Sequence, residues 1–225
     1  MISRLRRILR WAWRGLLVLM GLSLVWVLVY RWVDPPATYL SLAARFEGRA
    51  YDQRWRKLED ISLSLQYAVI AAEDARYCYH YGIDFNAIST ALNEKNSRRS
   101  LRGASTISQQ TAKNVFLWPG RSWLRKGLEA WFTIWIEGLW PKERILEVYL
   151  NVAQFGPQSF GAEAGAQKWF RLRARTLTQG QSAALASILP APSRRSPFQG
   201  NLAARRRQIL QGMIVVEASE FGCMR

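Results

Sequence analysis

Glu73 and Asp74 are adjacent, and the chain's single histidine, His80, follows with Gly82 and Asp84 in one short segment, EDARYCYHYGID. Upstream, Leu63, Tyr67, Ile70 and Ala71 recur at helical spacing and Ser62 stands where a cap would, so Glu73 is expected near the end of an amphipathic helix. A carboxylate at the point where an apolar helix runs out into a polar loop is partly desolvated. Desolvation raises a carboxyl pKa, which is what a general base working near neutral pH requires. The same residues also suit a helix end facing solvent and a histidine used only for hydrogen bonding. This stretch alone leaves both readings open.

A second polar run, GASTISQQTAKN at 103–114, holds Ser105, Thr106, Ser108, Gln109, Gln110 and Thr111 and ends on Lys113 and Asn114. Hydroxyls and amides hydrogen-bond sugar hydroxyls, and an ammonium pairs with phosphate. Thr106 and Gln109 also fit a capping box, and a helix N-terminus is itself an anion site, so the two readings are compatible. A third group lies on a helix expected from Trp123 to about Leu139, capped by Ser122. Arg125 and Glu129 share a face there, and Lys126 lies three residues before Glu129. As a surface ion pair the group would count for little. Trp131, Phe132, Trp135 and Ile136 make the helix apolar on most sides, however, and charges on such a helix are expected to line a polar cleft.

The elements that position these groups follow from composition. At 225 residues and 49% hydrophobic content the chain can bury one substantial core. Its net charge of +16 calls for anionic partners, and eleven tryptophans suit sugar stacking or a membrane interface. No helix-turn-helix, RNA-stacking or zinc signature is present, so nucleic acid is not an expected partner; anionic lipid and pyrophosphate match better. Residues 1–14 hold five arginines and Gly15 to Tyr30 carry no charge. The segment 11–33 meets the ~20 residues a bilayer requires. A cleaved signal peptide is the competing reading, but the apolar core is long and no small-x-small site precedes Asp34-Pro35-Pro36. An uncleaved anchor is expected: a basic cytoplasmic tail at 1–10, a transmembrane helix at 11–33, a juxtamembrane connector at 34–57 and an external domain at 58–225.

Further along, Asn93 to Arg102 reads as a surface loop. Val115-Phe116-Leu117-Trp118 before Pro119-Gly120 is either an exposed cluster that dips into lipid or ordinary core. Beyond Trp140-Pro141, with Pro141 at the first helical position, Ile145, Leu146, Tyr149 and Leu150 form a core face, and Glu147 reads as structural or solvated. Thr178 with Gln181 caps a later helix. Leu202 to Ala218 reads as an amphipathic helix with Arg205, Arg206 and Arg207 outward. No segment has a strand period, so the fold is expected to be nearly all α. Cys78 and Cys223 can pair in an oxidising compartment, but a buried free thiol at Cys78 is the favoured expectation.

EDARYCYHYGID at 73–84, GASTISQQTAKN at 103–114, RKGLEA at 125–130, ILEVYLNVAQFG at 145–156 and GAEAGAQKWF at 161–170 together resemble the five motif blocks of the peptidoglycan glycosyltransferases, glycosyltransferase family 51. The blocks occur in the family's order over about 60–190. Tyr77 stands where the family usually has Phe, and Cys78 is unusual there. The resemblance implies a mainly α, lysozyme-like glycosyltransferase domain with a small hydrophobic membrane-proximal jaw lobe, preceded by one transmembrane helix; the 115–118 cluster is assigned to the jaw. It implies polymerisation of lipid II into β-1,4-linked glycan with inversion and release of undecaprenyl diphosphate. In that scheme Glu73 takes the acceptor proton, and Glu129 orients Arg125 and shapes the donor site. Lys113, Arg121, Arg125 and Lys126 grip the diphosphate, and Ser105, Thr106 and Gln110 hold sugars. Asp74, His80, Asp84 and Asn114 complete the binding set, His80 and Asp84 by bracing the loop that carries Glu73. The resemblance also implies a single-pass protein of the Gram-negative inner membrane with a periplasmic catalytic domain. The partners it suggests are lipid II, the growing lipid-linked glycan, and penicillin-binding or cell-division proteins. No cluster has metal-ligand spacing, so no tightly bound cofactor is expected; help from Mg²⁺ or Mn²⁺ as the diphosphate leaves stays open. The absence of Ser-x-x-Lys and Lys-Thr-Gly points to a monofunctional enzyme without transpeptidase activity. A lytic enzyme of related fold and an idle membrane scaffold are the alternatives; the cationic cluster and the anchor argue against the first.

Overall fold

The structure, a computed structural model, describes residues 2–86, 89, 105–120, 122–218 and 223. The expected loop at 93–102 and Arg121 lie outside the described residues. Two compact units divide at Asp34 and Pro35. The first is a single helix, α1 (Ile2–Tyr30), whose stretch Arg6–Tyr30 is long and apolar enough to cross a membrane.

The second unit is built on α2 (Tyr39–Phe46), α3 (Leu63–Glu73), α4 (Ile107–Phe116), α5 (Trp123–Leu139), α6 (Lys142–Val152), α7 (Ala162–Phe170), α8 (Gln179–Ser187) and α9 (Ala203–Ala218). The caps fall where the side chains dictate. The Ser62 hydroxyl accepts from the Leu65 amide at 3.2 Å, and Ser122 accepts from Arg125 at 3.1 Å. Thr106 with Gln109 and Thr178 with Gln181 form complete capping boxes. Pro141 is the N-cap of α6 rather than its first residue, because Trp140 and Pro141 are both extended and the first helical amide is that of Lys142.

Helix α3 is central: it packs on α8 and α9, while α4 lies against α5 and α6. Leu65, Ala68, Val69, Ile70, Ile107, Ile136, Ile145, Leu146 and Leu150 are buried. Where α7 crosses the chain at Phe155, Gly165 leaves no room for a side chain: a Cβ there would sit 2.5 Å from that of Phe155.

The fold is mainly α, as expected, and three further details are corrected. A small sheet exists, in the order β1-β3-β2, from β1 (Asp52–Gln53), β2 (Gln154–Gly156) and β3 (Ser159–Phe160), with β1 parallel and β2 antiparallel to β3. Strands of two or three residues are too short to show a period. The 115–118 cluster is mostly core: Val115, Phe116 and Leu117 are buried, and Phe116 stacks on Phe132 at 4.6 Å. Trp118 alone of the four is exposed, and the outward apolar side chains come from the next helix, with Trp123 at 93% and Leu124 at 71% exposure. Cys78 is not a free thiol; it is bonded to Cys223, with Cα atoms 5.6 Å apart. The fold brings the chain's end back beside the first motif, which separation along the chain conceals.

Candidate active site

Glu73 is the last residue of α3, because Asp74 leaves the helical region at φ −160°. Its carboxylate is enclosed. One oxygen accepts from Gln110 Nε2 at 3.0 Å, and the other faces Arg205 Nη2 at 3.4 Å. Burial pushes its pKa above the usual carboxylate range, with Gln110, Arg205 and Lys113 pulling back and the Asp74 charge adding to the rise. Gln110 in turn accepts from the Tyr149 hydroxyl at 3.3 Å.

One turn beyond Gln110, Lys113 faces the same way along α4. Burial lowers its pKa; Glu129 and Glu73 act against that, while Arg125 and Lys126 reinforce it. Lys113 thus lies within the fields of both the Glu73 carboxylate and the α5 cluster. In that cluster Arg125 Nη1 donates to Glu129 at 2.9 Å and Lys126 Nζ at 2.5 Å. Glu129 and Arg125 are buried, and among the described residues the buried Arg125 Nε atom has no acceptor. A buried guanidinium with spare donor capacity is suited to an anion. Gln110, Lys113, Asn114, Arg125, Tyr149 and Gln154 form the polar lining of a cleft of about 450 Å³, whose other wall includes Leu117, Trp118 and Leu189.

The remaining polar residues hold the walls. Asp74 bonds His80 Nε2 through one oxygen at 2.8 Å and accepts from the Ile107 amide through the other at 3.0 Å. A carboxylate at the start of α4 also complements the helix dipole. His80 Nδ1 accepts from the Gly82 amide at 3.1 Å, so the ring proton is on Nε2, directed at Asp74. Thr106 donates to the Gly82 carbonyl at 2.6 Å. Gly82, at φ +81°, presses on α5: a Cβ there would come 2.6 Å from Thr133 Cγ2 and 2.8 Å from Glu137 Cγ. Behind it, Glu137 pairs with Lys142 at 2.8 Å and accepts from Ser108.

A profile of the transglycosylase family matches residues 41–214. The chain belongs to that family. It is 54% identical to the biosynthetic peptidoglycan transglycosylase of Caulobacter vibrioides over 78% of this chain and 77% of the relative. It is 49% identical to the protein of the same name from Pseudomonas aeruginosa over 91% and 93% of the two chains, and 47% identical to that of Rhodospirillum centenum over 92% and 90%.

Within the transglycosylase domain, Gln110, Lys113, Asn114 and Arg125 line the cleft, Glu73 is joined to it through Gln110, and Glu129 and Lys126 through Arg125. Asp74, His80 and Thr106 are buried and engaged with protein groups. Asp84 accepts from the Asn86 amide at 3.0 Å and faces Arg76 at 3.6 Å. Ser105 is exposed at the entrance to α4. A second cavity, about 520 Å³, runs beside the first half of α3, but its lining carries Glu59, Glu143 and Glu147 against a single Lys57 and does not suit a diphosphate. Glu147 is structural, accepting from the Leu58 amide at 2.9 Å.

Two site residues were not expected. Arg205 points inward to Glu73 and to the Ala72 carbonyl rather than outward. The signal was available: Arg205 lies four residues before Ile209, on the stripe that continues through Met213 and Val216, all three buried. Tyr149, expected as core, is buried but turns its hydroxyl to Gln110.

Proposed function

We propose that the chain extends peptidoglycan glycan strands from lipid II, with Glu73 as the general base and the Lys113–Arg125–Lys126 group as the diphosphate clamp. The observation that carries this reading is a desolvated carboxylate, raised in pKa, bonded to Gln110 in the wall of a cleft that Lys113 and Arg125 also line, with Glu129 joining Arg125 to Lys126. The acceptor sugar's 4-hydroxyl gives its proton to Glu73 as its oxygen bonds the anomeric carbon of the donor. The bond from that carbon to the diphosphate breaks, and its electron pair leaves with the diphosphate oxygen. Attack opposite the leaving group inverts the centre and gives a β linkage. A diphosphate leaves as an anion, so positive charge serves it better than a protonating acid does. Lys113, whose ammonium is disfavoured by burial, gains from an incoming anion. Arg205 favours the ionised form of Glu73, the form that accepts a proton. Gln110 holds the carboxylate in register, with Ser105 and Asn114 placed to meet sugar hydroxyls.

Any Mg²⁺ or Mn²⁺ in this scheme comes as a ligand of the diphosphate. Among the described residues no three His, Cys, Asp or Glu side chains converge on a metal position, and Glu73 and Glu129 are already paired with cations. The arginine-rich start of α1 favours a cytoplasmic N-terminus and an external catalytic unit. The Cys78–Cys223 bond supports the same placement, since such bonds persist in oxidising compartments like the periplasm.

Purified chain given lipid II should form polymer, and Glu73→Gln should form none while still binding lipid II. Near-normal turnover by Glu73→Gln removes the proposed chemistry.

A further inference from the structure

The Cys78–Cys223 bond joins parts of the chain 145 residues apart in sequence, and its first half lies in the turn that follows the proposed base. Cys78 is in the 3-10 turn Tyr77–Tyr79, between Asp74 and its partner His80. Tyr77, next to it, is buried and donates to the Lys142 carbonyl at 2.8 Å. Cys223 follows α9, the helix that supplies Arg205 to Glu73. Midway along α9, Gly212 lies so close to α3 that a Cβ would come 3.0 Å from that of Ala71. The helix thus meets the region of the base at three places: an ion pair at its start, a close packing contact in its middle and a covalent bond beyond its end.

We propose that the Cys78–Cys223 pair is an oxidation site that activates the transferase, its closure clamping α9 and the turn after Glu73 together so that Arg205 is held against the base. The inference rests on the transferase reading and on the external placement of the catalytic unit. The partner it requires is a thiol–disulfide exchange protein. One cysteine thiolate attacks that partner's disulfide to give a mixed disulfide and release one partner thiolate. The second cysteine thiolate then attacks the mixed disulfide, closing Cys78–Cys223 and leaving the partner as a dithiol. Two electrons pass to the partner, and the two thiol protons of the chain are balanced by those the partner gains. In the cytoplasm the thiols stay reduced, so the synthase becomes fully competent only after export.

The clamp has an electrostatic signature. Glu73 is faced by Gln110 and Lys113 from α4, Tyr149 from α6, Arg205 from α9 and its own neighbour Asp74. Loosening α9 withdraws only Arg205 from this set. Arg205 favours the charged carboxylate, so its withdrawal raises the pKa of the base. A purely architectural staple would leave that pKa alone.

The test uses the full chain in detergent, either oxidised or reduced with dithiothreitol and alkylated, with thiols counted by mass spectrometry. Lipid II polymerisation is followed across pH. The reduced form should be about tenfold slower near neutral pH, with its acid limb displaced upward and its helical circular dichroism intact. Cys78→Ser/Cys223→Ser should be equally slow and indifferent to reductant. Equal rates for the two forms, a slower rate with an unmoved acid limb, or loss of helical signal on reduction would each overturn the proposal. An oxidised chain that makes no polymer refutes the transferase reading instead. The clamp is then judged by amide exchange over residues 70–80, which reduction must accelerate if the clamp exists.

Discussion

Replacing Arg205 with Met isolates the electrostatic part of the proposed base. Met keeps the length of the side chain along α9 and removes the charge opposite Glu73. The two groups approach to 3.4 Å. At about 4 Å a unit-charge pair is worth about 1 kcal/mol in water and about 4 kcal/mol at an effective dielectric constant of 20. Glu73 is enclosed, but Arg205 is about one-third open to solvent, which places the pair toward the weaker limit. An interaction of about 1–2 kcal/mol corresponds to about one pK unit. Because Arg205 favours the ionised carboxylate, losing it raises the Glu73 pKa, and the fraction of active base falls on the acid side. The acid limb of kcat/KM should therefore move up by about one pH unit. Rates should differ by about tenfold below that limb and converge above it. The assay is continuous lipid II polymerisation over a pH series, with circular dichroism confirming the fold. An unmoved limb, or one moved down, refutes the assignment of Arg205 as the partner that tunes Glu73.

Gly82→Ala should lower the melting temperature by about 5–15 °C, since it adds the cost of a left-handed backbone to overpacking against Thr133 and Glu137, about 2–4 kcal/mol in all. A thermal melt within a degree or two of the parent would contradict the close approach. Lys113→Ala should slow polymerisation by about 10²–10³-fold and weaken inhibition by inorganic pyrophosphate, with partial recovery in Lys113→Arg. Equal pyrophosphate inhibition in parent and variant places the anion elsewhere. Glu73→Gln should be more stable than the parent at neutral pH. A carboxyl whose folded pKa is raised binds its proton more tightly in the folded state, so its contribution is fully present below the unfolded value and declines as pH rises through the folded one. Chemical denaturation at acidic and neutral pH checks this, and a gain that persists unchanged in acid argues against it.

Local chemistry made much of this legible in the sequence. Ser62, Thr106, Ser122 and Thr178 each cap the helix expected of them, because a cap needs only a side-chain oxygen and the amide two or three residues on. Arg125, Lys126 and Glu129 meet because helical spacing alone brings them together. What escaped depends on contacts distant in the chain. Nothing local distinguishes Val115, Phe116 and Leu117 as core from a lipid-facing patch; the Phe132 ring decides it. The polarity of Arg205 suggests an outward side chain, whereas its place on the Ile209–Met213 stripe turns it inward. The cysteine pairing required knowing that α9 returns to α3.

The tight seat of Gly82 against Thr133 and Glu137 has a consequence for how such an enzyme handles a growing product. It seals the loop after Glu73 to α5, the helix of the proposed diphosphate clamp, leaving less than a methyl group of slack between them. In the proposed scheme this ties the position of the proton acceptor to that of the leaving-group anchor. On that scheme a lengthening sugar chain would advance past a spacing that does not stretch to follow it.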